Sequence, residues 1–283
     1  MKKRFYLLII SILAVISIIC ILYYLPKPSK TIVTENYSLV DKQYLSKDTT
    51  LGALSIDINI ELPVDYKDKL MLDKIRTIVS SELFGNFKLI YPDDSLLYFF
   101  TEELKLEYVQ NNIDFAERIT DDSHLVFNNS FILEGFSLLN DENIFSYGIS
   151  RYVDFGGTHP AKTRFFYNFN LENGTIIQES DLFVDGYEVE LTEIIKNKII
   201  EDSHNSEGIP YIDSFDNTEY ILEAIKPNGN FYINDEAICY VFNPYEIAPI
   251  NYIGETEVVL PYQLIRHLLK EGNPISYLLS TNQ

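Results

Sequence analysis

Tryptophan is absent from this 283-residue chain, and cysteine and methionine occur only twice each. Cys20 lies in an apolar N-terminal run, so Cys239 has no partner in the body, and a disulfide-stapled module is excluded. Cys239 sits in the apolar stretch Ala237-Ile238-Cys239-Tyr240-Val241 and reads as a small buried hydrophobe rather than a nucleophile. Basic residues are also scarce, 22 Lys and Arg against 42 Asp and Glu, for a formal net charge of −20. Lys2, Lys3, Arg4, Lys27 and Lys30 stand in the first thirty residues, where no acid occurs, so the body is more acidic still. Such a body lacks the basic footprint that phosphate neutralisation requires, which excludes nucleic acid as a partner. The same charge favours solubility and steers cationic partners inward.

Motifs that carry chemistry are missing too. There is no HExxH, CxxC or GxSxG, and no glycine-rich phosphate loop. His124, His159, His204 and His267 stand at no metal-ligand spacing from one another, so neither a metal nor a cofactor is expected. Acidic pairs such as Glu102-Glu103 are unremarkable among 42 acids and do not mark a glycosidase pair.

What is present begins with Phe5 to Leu25, an uncharged run long enough to span a bilayer, preceded by Lys2-Lys3-Arg4. No small-x-small site ends the run, and Ile19 rather than a small residue precedes Cys20. An uncleaved single-pass anchor is therefore expected at the cell membrane, with the body extracytoplasmic; a cleaved signal and acylation of Cys20 are the competing readings. Residues 1–4 form a cytoplasmic stub, 5–25 the anchor and 26–50 a linker, with a short strand at Thr31-Ile32-Val33.

In the body, Leu54, Ile56, Ile58, Ile60 and Leu62 alternate with polar residues, the period of a half-buried strand, which Pro63 is expected to end. Leu72, Ile75, Val79 and Leu83 recur at helical spacing before Gly85. A second helix starts near Asp93 and carries the stripe Leu97, Phe100, Leu104 and Tyr108. Three strands follow as a meander, over 124–139, 144–155 and 163–171. Helices are expected over 187–202 and 214–225, then a hairpin around Asn234-Asp235, a last strand at 257–260 and a helix from Pro261. The pattern predicts an α+β fold with a mainly antiparallel sheet and packed helices. It divides into two similar-sized subdomains, 51–140 and 141–270, behind the transmembrane helix, with a tail over 271–283.

Two stretches stand out as candidate sites. In Phe155-Gly156-Gly157-Thr158-His159-Pro160, paired glycines permit a sharp corner and Pro160 holds His159 extended. In Asn243-Pro244-Tyr245-Glu246-Ile247-Ala248-Pro249, Tyr245 and Glu246 are presented between two prolines. Gly156, Gly157, Thr158, His159, Tyr245 and Glu246 are the predicted binding residues. A structural turn accounts for either stretch equally well. A hydrolase with His159 as acid/base and Glu246 or Asp154 as its partner is the catalytic alternative.

Read together, Gly156-Gly157-Thr158-His159, Asn168-Phe169-Asn170-Leu171, Asn173-Gly174, Asp181-Leu182-Phe183, Asn243 to Pro249 and Gly254 resemble a bacterial envelope domain family of unresolved function. That family occurs in the extracellular part of the lysozyme-sensing anti-sigma factor RsiV and beside polysaccharide deacetylase domains. The match runs from about Ser150 to Leu269. The resemblance implies an α+β envelope domain whose ligand is a cationic, lysozyme-like protein or a peptidoglycan-type glycan. Anti-sigma activity is not expected, because a four-residue stub cannot hold a sigma factor. A non-catalytic binding module is the expectation; a purely structural, lipid-tethered spacer is the third reading.

Overall fold

The structure, a computed structural model, describes residues 29–85, 93–116, 118, 127–156, 159–205, 209–249 and 252–281. The expected anchor at 5–25 lies outside them; among the described residues no helix is long and apolar enough to cross a membrane.

The strand expected around Leu54 to Leu62 is β2 (Ala53–Asp65), and it sets up the first half of the molecule. Its Leu54, Ile56, Ile58 and Ile60 are buried on one face, and Ser55, Asp57 and Asn59 are exposed on the other. Pro63 does not end it. Pairing with β3 (Asn129–Asn140) stops at Ile60↔Gly135, so Pro63 breaks no ladder on that side, and the pairing with β1 absorbs it in a bulge at Val33/Thr34. β1 (Val33–Tyr44) is itself a correction, because these residues were expected to be linker. It pairs antiparallel with β2 along its whole length and forms an edge, mostly exposed, so no hydrophobic alternation announces it.

β2 and β3 run parallel, which requires a crossover; α1 (Lys69–Phe84) and α2 (Asp93–Ala116) supply it. Asp68 caps α1 by accepting from the Met71 N–H, and Gly85 ends it at φ 59°. Leu72, Ile75, Val79 and Leu83 of α1 and Leu96, Phe100 and Tyr108 of α2 are buried with the apolar face of β2. β3, β4 (Ile144–Asp154) and β5 (Ala161–Asn170) form the expected meander, and β6 (Thr175–Ile176) closes a six-stranded sheet in the order β1 to β6. Tyr147 of β4 crosses over Gly135 and donates from its hydroxyl to the Glu61 carbonyl at 2.6 Å. A Cβ at Gly135 would stand 2.2 Å from that hydroxyl.

The second half is α3 (Glu179–Leu182), α4 (Tyr187–Asn205), a three-stranded sheet of β7 (Phe231–Ile233), β8 (Ala237–Phe242) and β9 (Thr256–Pro261), then α5 (Tyr262–Ile265) and α6 (Leu278–Thr281). Leu191, Ile195 and Ile199 of α4 pack against Phe231, Ile233, Ile238, Tyr240 and Leu260 of that sheet. The helix expected over 214–225 is absent: single i→i+3 turns replace it, and Asn217 sits at φ 60°, which a right-handed helix does not admit. The expected tail is not a tail either, since Ile275 and Leu278 are buried in the second core.

The molecule is α+β, as expected, but it does not divide at residue 140. That point falls in the hairpin joining β3 to β4, inside one continuous sheet. The buried residues separate later: one core takes Ile32 to Leu171, and the other takes Ile177 to Leu278 together with Leu139 and Ile144.

The two halves meet where β5 leaves its outer edge open beyond the short β6 pairing at Phe169 and Asn170. Asparagine side chains fill that edge. Asn243 accepts from the Arg164 N–H at 2.6 Å and donates to the Arg164 carbonyl at 3.1 Å. Asn230 accepts from the Phe166 N–H at 3.2 Å and donates to the carbonyls of Arg164 at 2.9 Å and Val241 at 3.0 Å. Asn168 reaches the other way: it donates to the Phe231 carbonyl at 2.8 Å and accepts from the Ile233 N–H at 3.0 Å and the Ser146 hydroxyl at 2.7 Å. A carboxamide has the donor and acceptor of a peptide group, so each can stand in for a strand residue.

Because Asn168 and its partners are buried, Asn168→Ala should cost about 3 kcal/mol, as three groups lose their partner at once. Asn230→Ala, at a partly buried position, should cost about 1–2 kcal/mol. Urea unfolding of both variants checks the order; a smaller loss at Asn168 than at Asn230 contradicts it.

Candidate functional site

The glycine corner follows β4 and precedes β5. Gly156 takes φ 76°, a region closed to most side chains, and its N–H donates to Asp154 Oδ1 at 3.1 Å. Asp154 thereby closes the turn. Gly157 and Thr158 lie outside the described residues. His159 is exposed, and among the described residues no hydrogen bond or ion pair joins it to a carboxylate. Among the described residues, the histidines that meet carboxylates are His267, 2.8 Å from Glu190, and His204, 3.8 Å from Asp213.

The second predicted stretch is a turn. The Glu246 N–H donates to the Asn243 carbonyl at 3.0 Å, and Tyr245 occupies the third position at φ 72°. Glycine is the usual residue there, because a Cβ is strained. Here an aromatic ring is held at that strained position and stands 56% exposed. Glu246 accepts from Asn228 Nδ2 at 3.2 Å and, weakly, from Asn243 Nδ2 at 3.4 Å, and does not meet His159. Asn243, at the head of this turn, is one of the asparagines that hold β5.

Among the described residues, the cleft to which the corner contributes has no lining residue from the Tyr245 turn. The corner contributes Phe155 to a cleft of about 260 Å³ at the end of the large sheet where β2 and β3 begin. Leu54, Phe131 and Asn129 form its floor, and Leu104, Glu107, Tyr108, Asn111 and Asn112 come from one face of α2. The Tyr108 hydroxyl donates to the Phe127 carbonyl at 2.8 Å, and Asn112 Nδ2 donates to the Tyr108 carbonyl at 2.7 Å. Burial pushes the Tyr108 phenol up to about 12. Asn129 Oδ1 is buried without a hydrogen-bond partner. Phe155, by contrast, is 60% exposed at the rim.

Apart from Phe155, which opens the predicted corner, none of these lining residues belongs to a stretch that the sequence marks as a candidate site. The Leu104 and Tyr108 stripe was read as core, and its neighbours Glu107, Asn111 and Asn112 continue it at helical spacing as a polar border. That change from apolar to amide along one helix face was the available signal. Cys239 is fully buried as expected, and burial pushes its thiol up to about 11, away from nucleophilic use.

Arg164 of β5 is itself tied by its side chain to the second half. Its guanidinium meets Glu255 at 2.6 Å and Glu257 at 2.8 Å and stacks over Phe166 at 5.5 Å. Burial alone would lower its pKa, but hydrogen bonds to the two carboxylates outweigh that and raise it. The side chain is thus a fixed charge in a structural clamp.

Tyr245→Gly should leave the fold intact and raise stability by about 0.5–1 kcal/mol, because glycine accepts the positive φ without strain. Equilibrium unfolding tests this. A loss of stability would mean that the ring is held by packing rather than displayed.

Residues 180–263 match a family described as a protein of unknown function, DUF3298. No curated protein matches the chain. Among solved structures, a DUF3298 family member from Bacteroides fragilis NCTC 9343 aligns with a TM-score of 0.77 at 23% identity, covering 90% of this chain and 100% of that one. A DUF3298 family protein from Pseudomonas aeruginosa PAO1 aligns over 86% of this chain and 97% of that one at 16% identity, with a TM-score of 0.49. The family match starts beyond β6, so the glycine corner and the cleft both lie outside it. The chain thus carries, over residues 180–263, a match to DUF3298, a family of unknown function, and shares the fold of a solved member.

Proposed function

We propose that this chain is a membrane-anchored, extracytoplasmic binding module without catalysis of its own, whose partner is a cationic, lysozyme-like protein or a peptidoglycan-type glycan. The observation that carries the reading is the cleft beside the glycine corner. It is walled by aromatic rings and carboxamides and has no basic residue among its described lining, in a chain of net charge −20. The resemblance to the extracellular domain family of RsiV supports the same class of partner, and the uncharged run at 5–25 supports the anchor.

The hydrolytic alternative draws no support from the surroundings of His159. Asp154 is engaged by the corner's own backbone, and Glu246 by Asn228 and Asn243. The cleft has one carboxylate among its described lining, Glu107, where glycoside hydrolysis ordinarily uses two.

Calorimetry of the full chain in mild detergent, with lysozyme and with muropeptides, tests the reading. Lysozyme should bind at low salt and weaken about tenfold or more when salt rises toward about 0.5 M, because long-range attraction is then screened. Absence of binding to both partner classes at low salt would overturn the proposal.

A further inference from the structure

We infer that the cleft at the foot of α2 seats a primary ammonium or guanidinium side chain presented by a cationic protein partner. The inference rests on the binding-module reading and names the contact on which recognition turns.

The hydrogen-bond inventory of the cleft points to a donor-rich ligand. Tyr108 commits its hydroxyl proton to the Phe127 carbonyl, and Asn112 commits its Nδ2 to the Tyr108 carbonyl. Tyr108 has only acceptor capacity left to offer, and Asn112 offers its Oδ1 acceptor beside one uncommitted N–H. Glu107 adds a carboxylate. Asn129, only 6% exposed, keeps its Oδ1 buried and unpaired, a state that an arriving donor relieves.

The apolar part of the lining fits the same ligand. Phe131 at the floor and Phe155 at the rim add aromatic lining, and an aromatic ring attracts a desolvated cation through its quadrupole. Leu54 and Leu104 suit the methylene stem of a lysine or arginine. Lys105, on the neighbouring turn of α2, is paired with Asp41 and Glu102 and so is not drawn to Glu107. The volume, about 260 Å³, lies below the roughly 300–1,000 Å³ of sites for drug-sized ligands. It suits one side chain better than an oligosaccharide. The net charge of −20 supplies the long-range attraction that brings a basic surface to the rim.

The test titrates the full chain in detergent with Nα-acetyl-lysine methylamide, its arginine counterpart and the neutral norleucine analogue, read by saturation-transfer NMR, and separately with lysozyme by calorimetry. The two cationic probes should bind, with the norleucine analogue about tenfold weaker or more. Glu107→Gln and Phe155→Ala should each weaken the cationic probes and lysozyme about threefold or more, at unchanged melting temperature. Equal binding of the neutral analogue, or no effect of Glu107→Gln, overturns the assignment. Lysozyme binding that survives both substitutions, with no binding of the small cations, overturns the cleft assignment and leaves the binding-module reading standing. Cationic probes that bind at the cleft while lysozyme and muropeptides do not would separate the two in the other direction.

Discussion

A β-strand edge is a row of backbone donors and acceptors that must be paired, hydrated or covered. In this protein the outer edge of β5 is closed by asparagine side chains, and the joining of the two halves depends on it. Asn243 and Asn230, from the segments flanking β7 and β8, bond the Arg164 and Phe166 backbone, and Asn168 returns the favour to β7. Asn140 uses the same device at the far end of β3, bonding the N–H and carbonyl of Ile32 just before β1. A second sheet is thereby attached across the first without continuing its ladder. The Arg164 clamp to Glu255 and Glu257 ties β9 and its lead-in to the same strand.

This junction sorts the two candidate stretches into different roles. Asn243 opens the turn that holds Tyr245 at φ 72°, so the strained, exposed ring is a consequence of placing Asn243 against β5. The glycine corner is the other end of the same arrangement: it returns the chain from β4 to the start of β5. Its contribution to a cleft comes through Phe155, at the rim of the space between α2 and the ends of β2 and β3. His159, first in interest when the sequence is read, is a solvent-facing turn residue.

Elements with one wet and one dry face were legible. β2 alternates strictly, α1 repeats at helical spacing between Asp68 and Gly85, and the meander from β3 to β5 is punctuated by turn residues. β1 was not legible, because an exposed edge strand has no buried set to betray it, and Val40 points 80% exposed into solvent. The boundary at residue 140 was misplaced because a hairpin turn looks the same inside a sheet as between domains. The helix expected over 214–225 has helix-compatible spacing, but Asn217 breaks it in the left-handed region. Asparagine is depleted in strands, so Asn168 within the aromatic run Phe165 to Phe169 was a legible anomaly whose meaning only the second sheet supplies. The cleft was least legible, since its floor and wall come from β2, α2, β3 and the corner, brought together by the crossover.

Amide hydrogen exchange at Arg164, Phe166 and Ile233 tests the central claim most directly. These three N–H groups are bonded to the side chains of Asn243, Asn230 and Asn168 rather than to a neighbouring strand. If the asparagines close the edge and bind the halves together, the three amides exchange as slowly as those of the β4–β5 ladder. Exchange at the rate of exposed loops, with the ladder itself protected, would contradict the account.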